Sequence, residues 1–176
     1  MPVPQPLEPD TKDWTWVIDR ACPECGFDPH AQSLADVPRL LHDTAMVFSQ
    51  VLRRPGVRER PAPETWSPLE YACHVRDVHR IFGERVELIL SQDVPVFANW
   101  DQDQAAIDAA YADQDPAVVD LDLIEAAGHV AGLYSTVTPQ TAGRRGLRSN
   151  GSEFTLETLG LYHLHDVVHH VHDVGA

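Results

Sequence analysis

The feature that most constrains this chain is Trp66-Ser67-Pro68-Leu69-Glu70, a complete helix start that opens onto a long apolar stripe. Ser67 stands at the N-cap, Pro68 at the first helical position, and Glu70 three residues on, able to reach back to the cap, with Trp66 placed to pack beneath. Tyr71, His74, Val75, Val78, Ile81, Phe82, Val86 and Ile89 then recur at helical spacing and mark one face for about six turns. A rod of that length needs partners along it, and three further segments supply them. Ser33 and Asp36 open a helix whose apolar positions run from Val37 to Leu52 and stop at Pro55-Gly56. Asp115-Pro116 caps another, which passes through Leu123, Ala127, Val130 and Tyr134, is weakened by Gly128 and Gly132, and ends by Pro139. The last runs from about Thr155 to Val174, with Gly175 at its end.

Residues 92–115, with Pro95 and many acids, read as a long crossover carrying a short helix from Gln104 to Tyr111. Segment 143–151 reads as a basic, glycine-punctuated connection, and strand character is confined to a short piece around Phe154. The expected fold is therefore all-α, a four-helix bundle with a long crossover. Its 176 residues suffice for one core, residues 33–176. Six prolines in the first 32 residues (Pro2, Pro4, Pro6, Pro9, Pro23 and Pro29) make residues 1–32 an extended arm or cap, with at most a short helix around Trp14 to Arg20.

Charge narrows the partners. Thirteen basic residues face 27 acidic ones, a formal net charge of −14, so the surrounding field repels phosphate backbones and anionic lipid surfaces. Neither nucleic acid nor membrane is an expected partner. No stretch is long and apolar enough to span a bilayer, and Met1 to Pro6 lacks the basic-then-apolar run of a secretory signal, so a soluble cytoplasmic protein is expected. Between Arg85 and Arg144 there is no Lys or Arg while acids accumulate, which reads as a solvated face.

Five of the ten histidines, His163, His165, His169, His170 and His172, crowd the last helix. Turned at about 100° per residue from Leu161, His165, His169 and His172 fall on the side of Leu164 and Val168, while His163, Asp166, His170 and Asp173 point away. His165 and His169 thus face the bundle interior one turn apart, where unpaired imidazoles cost about 1–3 kcal/mol each. His74 lies in the apolar stripe of its own helix. The three imidazoles either hold one divalent ion or are hydrogen-bonded core histidines. His172 is an alternative ligand or a hydrogen-bond partner of one; His79, about 140° around from His74, reads as surface. Asp77 either orients the His74 ring or is an ordinary surface carboxylate, and Cys73 reads as a small core residue.

Trp66-Ser67-Pro68-Leu69-Glu70 with His74, the segment Pro95 to Asp101, and the C-terminal His165-x-x-x-His169 together resemble the DinB/YfiT-like superfamily, in particular its actinobacterial DinB-like members, over nearly all the chain from residue 33. The resemblance implies a four-helix bundle, commonly a homodimer, that binds Zn²⁺ or Ni²⁺ through His74, His165 and His169. It also implies a thiol-dependent activity such as that of mycothiol-dependent isomerases and S-transferases, acting on a small electrophile with a low-molecular-weight thiol as cosubstrate. Some members carry a carboxylate as second ligand, where this chain has His165. A non-enzymatic metal-binding or stress-related interaction protein, and a metal-dependent hydrolase, are the alternatives.

Two features stand beside that site. Arg148, with Arg144 and Arg145, either meets carboxylates of substrate or thiol or forms a solvated basic loop, and Trp100 is a further candidate for substrate contact. Cys22-Pro23-Glu24-Cys25-Gly26 has the shape of half a zinc knuckle, with His30, Cys73 or a second chain as the source of the missing ligands; a redox-active dithiol and a plain tight turn are the other readings.

Overall fold

Ser67 and Glu70 close the capping box: the Ser67 hydroxyl accepts from the Glu70 amide while the Glu70 carboxylate accepts from the Ser67 amide. Glu70 is held in turn by Arg60, whose Nε donates to Oε2 at 2.9 Å. In this computed structural model, which describes residues 12–176, the helix so started is the longest element. The order is α1 (Val37–Val51), α2 (Pro68–Ser91), β1 (Val96–Phe97), α3 (Gln102–Asp108), α4 (Pro116–Ser135), β2 (Arg145–Arg148), β3 (Glu153–Thr155) and α5 (Leu156–Asp173). Short 3₁₀ turns at Thr15–Ile18, Pro29–Ala31 and Tyr111–Asp113 join them. Pro2, Pro4, Pro6 and Pro9 lie outside the described residues.

The starts follow their local chemistry. Asp101 caps α3 by accepting from the Gln104 amide, Asp115 caps α4 by accepting from Ala117, and Thr155 caps α5 by accepting from Thr158. Such caps stabilise a helix by about 1 kcal/mol each. α3 begins two residues earlier than expected and stops at Asp108, with Tyr111 in the following turn.

α4 and α5 each pack against both α1 and α2, whereas α1 and α2 lie diagonally opposite. That topology gives α2 two covered flanks and brings the start of α2 to the end of α5. Phe48, Leu69, Val75, Val86, Ile89, Leu123, Val130, Leu159 and Leu164 fill the core between them.

The three-stranded sheet departs from the expected connection. β1 pairs in parallel with β2, and β2 antiparallel with β3. Strands of two to four residues leave no alternation to read, and pairing across some fifty positions (Val96 with Leu147) leaves no local trace. Gly146 is required here: a β-carbon on it would lie 2.8 Å from side-chain atoms of Ile89 and Phe97. Arg144 caps α2 instead of facing a ligand, donating from Nε to Ile89 O at 2.7 Å and from a terminal nitrogen to Gln92 O at 2.6 Å.

Candidate metal centre

His74 is wholly buried. Its ring stacks on Trp100, with centroids 5.5 Å apart and planes 13° apart, lies 5.3 Å from Trp66, and meets the edge of His170 at 4.7 Å. His74 Nε2 is 3.4 Å from Asp166 Oδ1, and His170 Nε2 is 3.6 Å from the same oxygen. Behind His170, Nδ1 lies 2.8 Å from Asp173 Oδ2, which turns the opposite nitrogen toward Asp166. One ligand atom from each of His74, Asp166 and His170 lies within 4.8 Å of the other two.

These residues fit a cation. Tetrahedral bonds of about 2.0–2.1 Å place neighbouring donors about 3.3 Å apart, close to the separations seen. Both nitrogens of His74 and Oδ1 of Asp166 are buried without a hydrogen bond, an arrangement that costs about 1–3 kcal/mol per group unless something else binds them. Burial lowers the His74 pKa against the opposing pull of Asp166, so its imidazole is a neutral donor. Burial alone would raise the Asp166 pKa; its contact with His74 and the electrostatic pull of the neighbouring imidazoles outweigh that and hold the carboxylate ionised.

The structure does not bring His74, His165 and His169 to one point. His165 and His169 face the N-terminal segment, where their ligand atoms group with those of Cys22 and Cys25. Trp14 packs on both rings, at 5.5 and 5.0 Å, and Phe27 meets His165 at 5.6 Å. The reason is that α5 is covered on more than one side. His163, read as outward, is fully buried with the core, and the apolar contrast that orients a helical wheel fades around such a rod. Asp166 and His170, also read as outward, are the residues that meet His74. Asp166-x-x-x-His170 has the same i, i+4 spacing as the histidine pair, and that is the signal that points to them.

Other residues fall elsewhere than expected. His79 is fully buried, not on the surface, and shares a hydrogen bond of 3.0 Å between its Nδ1 and His163 Nε2. α2 is flanked by α4 and α5, so directions far apart around it are both interior. Asp77 does not hydrogen-bond His74; it accepts from Arg76 Nε at 2.9 Å and from Tyr111 Oη at 2.6 Å. His172 is exposed and joins neither group. Neither His30 nor Cys73 completes the cysteine turn: His30 Nε2 contacts Asp19 O at 3.0 Å, and Cys73, buried in the core, contacts Tyr111 O. Arg148 holds Asn150 Oδ1 at 3.0 Å and Ser152 Oγ at 3.1 Å.

Asp166, His170 and Asp173 line a cavity of about 280 Å³ walled by Trp14, Trp66 and Tyr71, with His165 and His169 also on its border. A neighbouring cavity of about 580 Å³ shares Trp14, Gln102, Asp103 and Tyr162 with it and carries Trp100 and Arg148. The arrangement is thus a His₂-carboxylate group, His74 buried and Asp166 and His170 half-buried, at the edge of a two-part cleft.

Among solved structures, the chain is similar to YfiT from Bacillus subtilis, described as a probable metal-dependent hydrolase with an unusual four-helix bundle topology. The TM-score is 0.71 at 22% identity, over 79% of this chain and 82% of that one, which shows a shared fold. No curated protein matches the chain significantly. No helix among the described residues is long and apolar enough to cross a membrane. The DinB superfamily model matches residues 30–174, most of the chain and all four long helices, and the chain therefore belongs to the DinB superfamily.

Proposed function

We propose that this protein is a divalent-metal-dependent enzyme in which His74, Asp166 and His170 hold the cation and a small nucleophile is directed at a small electrophilic substrate. The observation that carries this reading is the convergence of His74, Asp166 and His170 beside an open cleft, with both His74 nitrogens and Asp166 Oδ1 buried and lacking a hydrogen bond. A cation bound there lowers the pKa of a thiol or water toward neutrality and polarises a substrate carbonyl.

The chain's own groups do the rest. Asp173 fixes the tautomer of His170 by accepting from its Nδ1–H, leaving Nε2 as the donor. Trp66 and Trp100 clamp the His74 ring from two sides. Trp14, Trp66 and Tyr71 give the cleft apolar walls that exclude bulk water, while Arg148 in the adjoining cavity offers N–H donors to oxygen atoms of an incoming thiol or substrate. No protein nucleophile is needed.

Transfer involving a low-molecular-weight thiol such as mycothiol is the first reading, because the adjoining cavity is large and carries Arg148. Hydrolysis is the second: two imidazoles and one carboxylate are the ligand set of several hydrolytic zinc sites. Metal-loaded protein assayed with mycothiol and a panel of electrophiles separates the two. Thiol-dependent turnover lost in Asp166→Ala supports the first, and thiol-independent turnover lost in the same variant supports the second. Metal content unchanged in both His74→Ala and Asp166→Ala overturns the ligand assignment.

A further inference from the structure

Cys22, Cys25, His165 and His169 take no part in the centre just described, yet each offers a ligand atom within 4.8 Å of the other three. We infer that these four residues form a second, closed site that binds zinc in tetrahedral Cys₂His₂ coordination and ties the N-terminal segment to α5.

The two halves are built independently and aimed at each other. On one side, the Cys22 amide donates to Phe27 O at 2.8 Å and the Gly26 amide to Cys22 O at 2.9 Å, closing a tight turn. Gly26 sits at φ +75°, a conformation that side chains disfavour. The turn brings both sulfurs within 4.8 Å of each other and of the two imidazoles. On the other side, His165 and His169 stand one helical turn apart on α5 and present their rings to that turn.

Distances and charge select the ion. Cys22 Sγ lies 3.8 Å from His169 Nδ1, against about 3.6 Å for sulfur and nitrogen ligands at the usual zinc bond lengths and tetrahedral angle. Two thiolates and two neutral imidazoles cancel the charge of a divalent ion, which suits a buried site. Sulfur donors also select zinc over magnesium, calcium or manganese. His165 Nε2 supplies an independent sign: the residue is 4% exposed and this nitrogen has no hydrogen-bond partner. The far nitrogen of His169 lies 3.6 Å from Glu24 Oε2 and 3.8 Å from Asp173 Oδ1, carboxylates of the kind that orient a ligating imidazole.

Four protein donors leave no open coordination position, so the role is structural. Trp14 belongs to the tethered segment, packs on both histidines and walls both cavities. The zinc therefore fixes one wall of the cleft. Asp173 links the two centres, one oxygen on His170 and the other facing His169.

The test uses reduced, tag-free full-length protein. Elemental analysis is expected to find zinc retained in the His74→Ala/Asp166→Ala double variant and one metal equivalent lost in Cys25→Ser. Cobalt(II) added to metal-free wild type is expected to give thiolate-to-cobalt charge-transfer absorption and intense tetrahedral ligand-field bands. The double variant should keep both signals, and His169→Ala should weaken them. Zinc should raise the amide-exchange protection of residues 14–27 in wild type. A wild-type cobalt spectrum without thiolate charge transfer overturns the site, and so does a zinc content in Cys25→Ser undiminished from wild type. The wild-type spectrum decides the matter even if that variant fails to fold. Metal lost only on changing His74 or Asp166 would leave the proposed function standing and remove this one.

Discussion

The buried pair His79–His163 makes the metal-free protein acid-sensitive in a calculable way. Both rings are 0% exposed, and burial pushes the His79 pKa down to about 4 and that of His163 well below its ordinary value. In the unfolded chain each imidazole accepts a proton near pH 6.5. Folded His79 refuses that proton, so its stability contribution is complete above pH 6.5 and is lost as the pH falls from 6.5 toward 4. Linkage sets the loss between pH 7 and pH 5 at about 2 kcal/mol for His79 alone, and His163 adds to it. With a urea m-value of about 2 kcal/mol/M, the unfolding midpoint should drop by about 1 M or more over that interval. Other histidines contribute too, so the informative quantity is the difference between wild type and His79→Leu/His163→Leu. Replacing both rings removes the shared hydrogen bond without orphaning a partner, which keeps the double variant near wild-type stability at pH 7. Urea unfolding followed by tryptophan fluorescence at pH 7, 6 and 5, in the presence of a chelator, measures both slopes. Equal loss of stability in the two proteins between pH 7 and pH 5 would refute the reasoning.

Three further outcomes follow from the packing. Gly146→Ala forces a β-carbon against Ile89 and Phe97 and should lower stability by about 1–3 kcal/mol, whereas Gly128→Ala, with open space around it in α4, should raise it by about 1 kcal/mol; thermal unfolding compares them. Arg60→Ala strands the Glu70 carboxylate, whose side chain is 5% exposed, and should cost about 3 kcal/mol, with partial recovery in Arg60→Ala/Glu70→Gln by denaturant titration. Asp173→Asn loosens His170 without removing a ligand and should weaken metal binding at the His74 centre by about 10–100-fold in a competition titration with a chromogenic chelator.

The helices were legible because their ends carry chemistry that acts within four residues. Ser67 with Glu70, Asp115 with Pro116, and Thr155 each bond an amide two or three positions away, so the sequence neighbourhood contains the whole cause. The sheet was not, because its cause is distant. β1 exists only because β2 lies beside it, and β2 lies there because Arg144 anchors the preceding loop to the last carbonyls of α2 while Gly146 lets the strand press onto Ile89. None of these contacts leaves a periodic mark.

The metal centre shows the same limit more sharply. A helical wheel fixes the angles between residues of one helix but not which neighbour each direction meets. On α5, Asp166 and His170 are offset by one position, about 100°, from His165 and His169, and both pairs have metal-ligand spacing. Which pair meets His74 depends on how α5 is rolled against α2, and that roll is set by what else covers α5. Leu159 and Leu164 seat it in the bundle, His163 bonds His79 of α2, and Trp14 and Phe27 close over His165. With His163 locked onto His79, the residue three positions further along α5 points to the residue five positions earlier on α2, and those are Asp166 and His74. The His79–His163 hydrogen bond is thus a register pin. A roll of one residue would carry Asp166 away from His74 and leave the cysteine turn facing the wrong side of the helix.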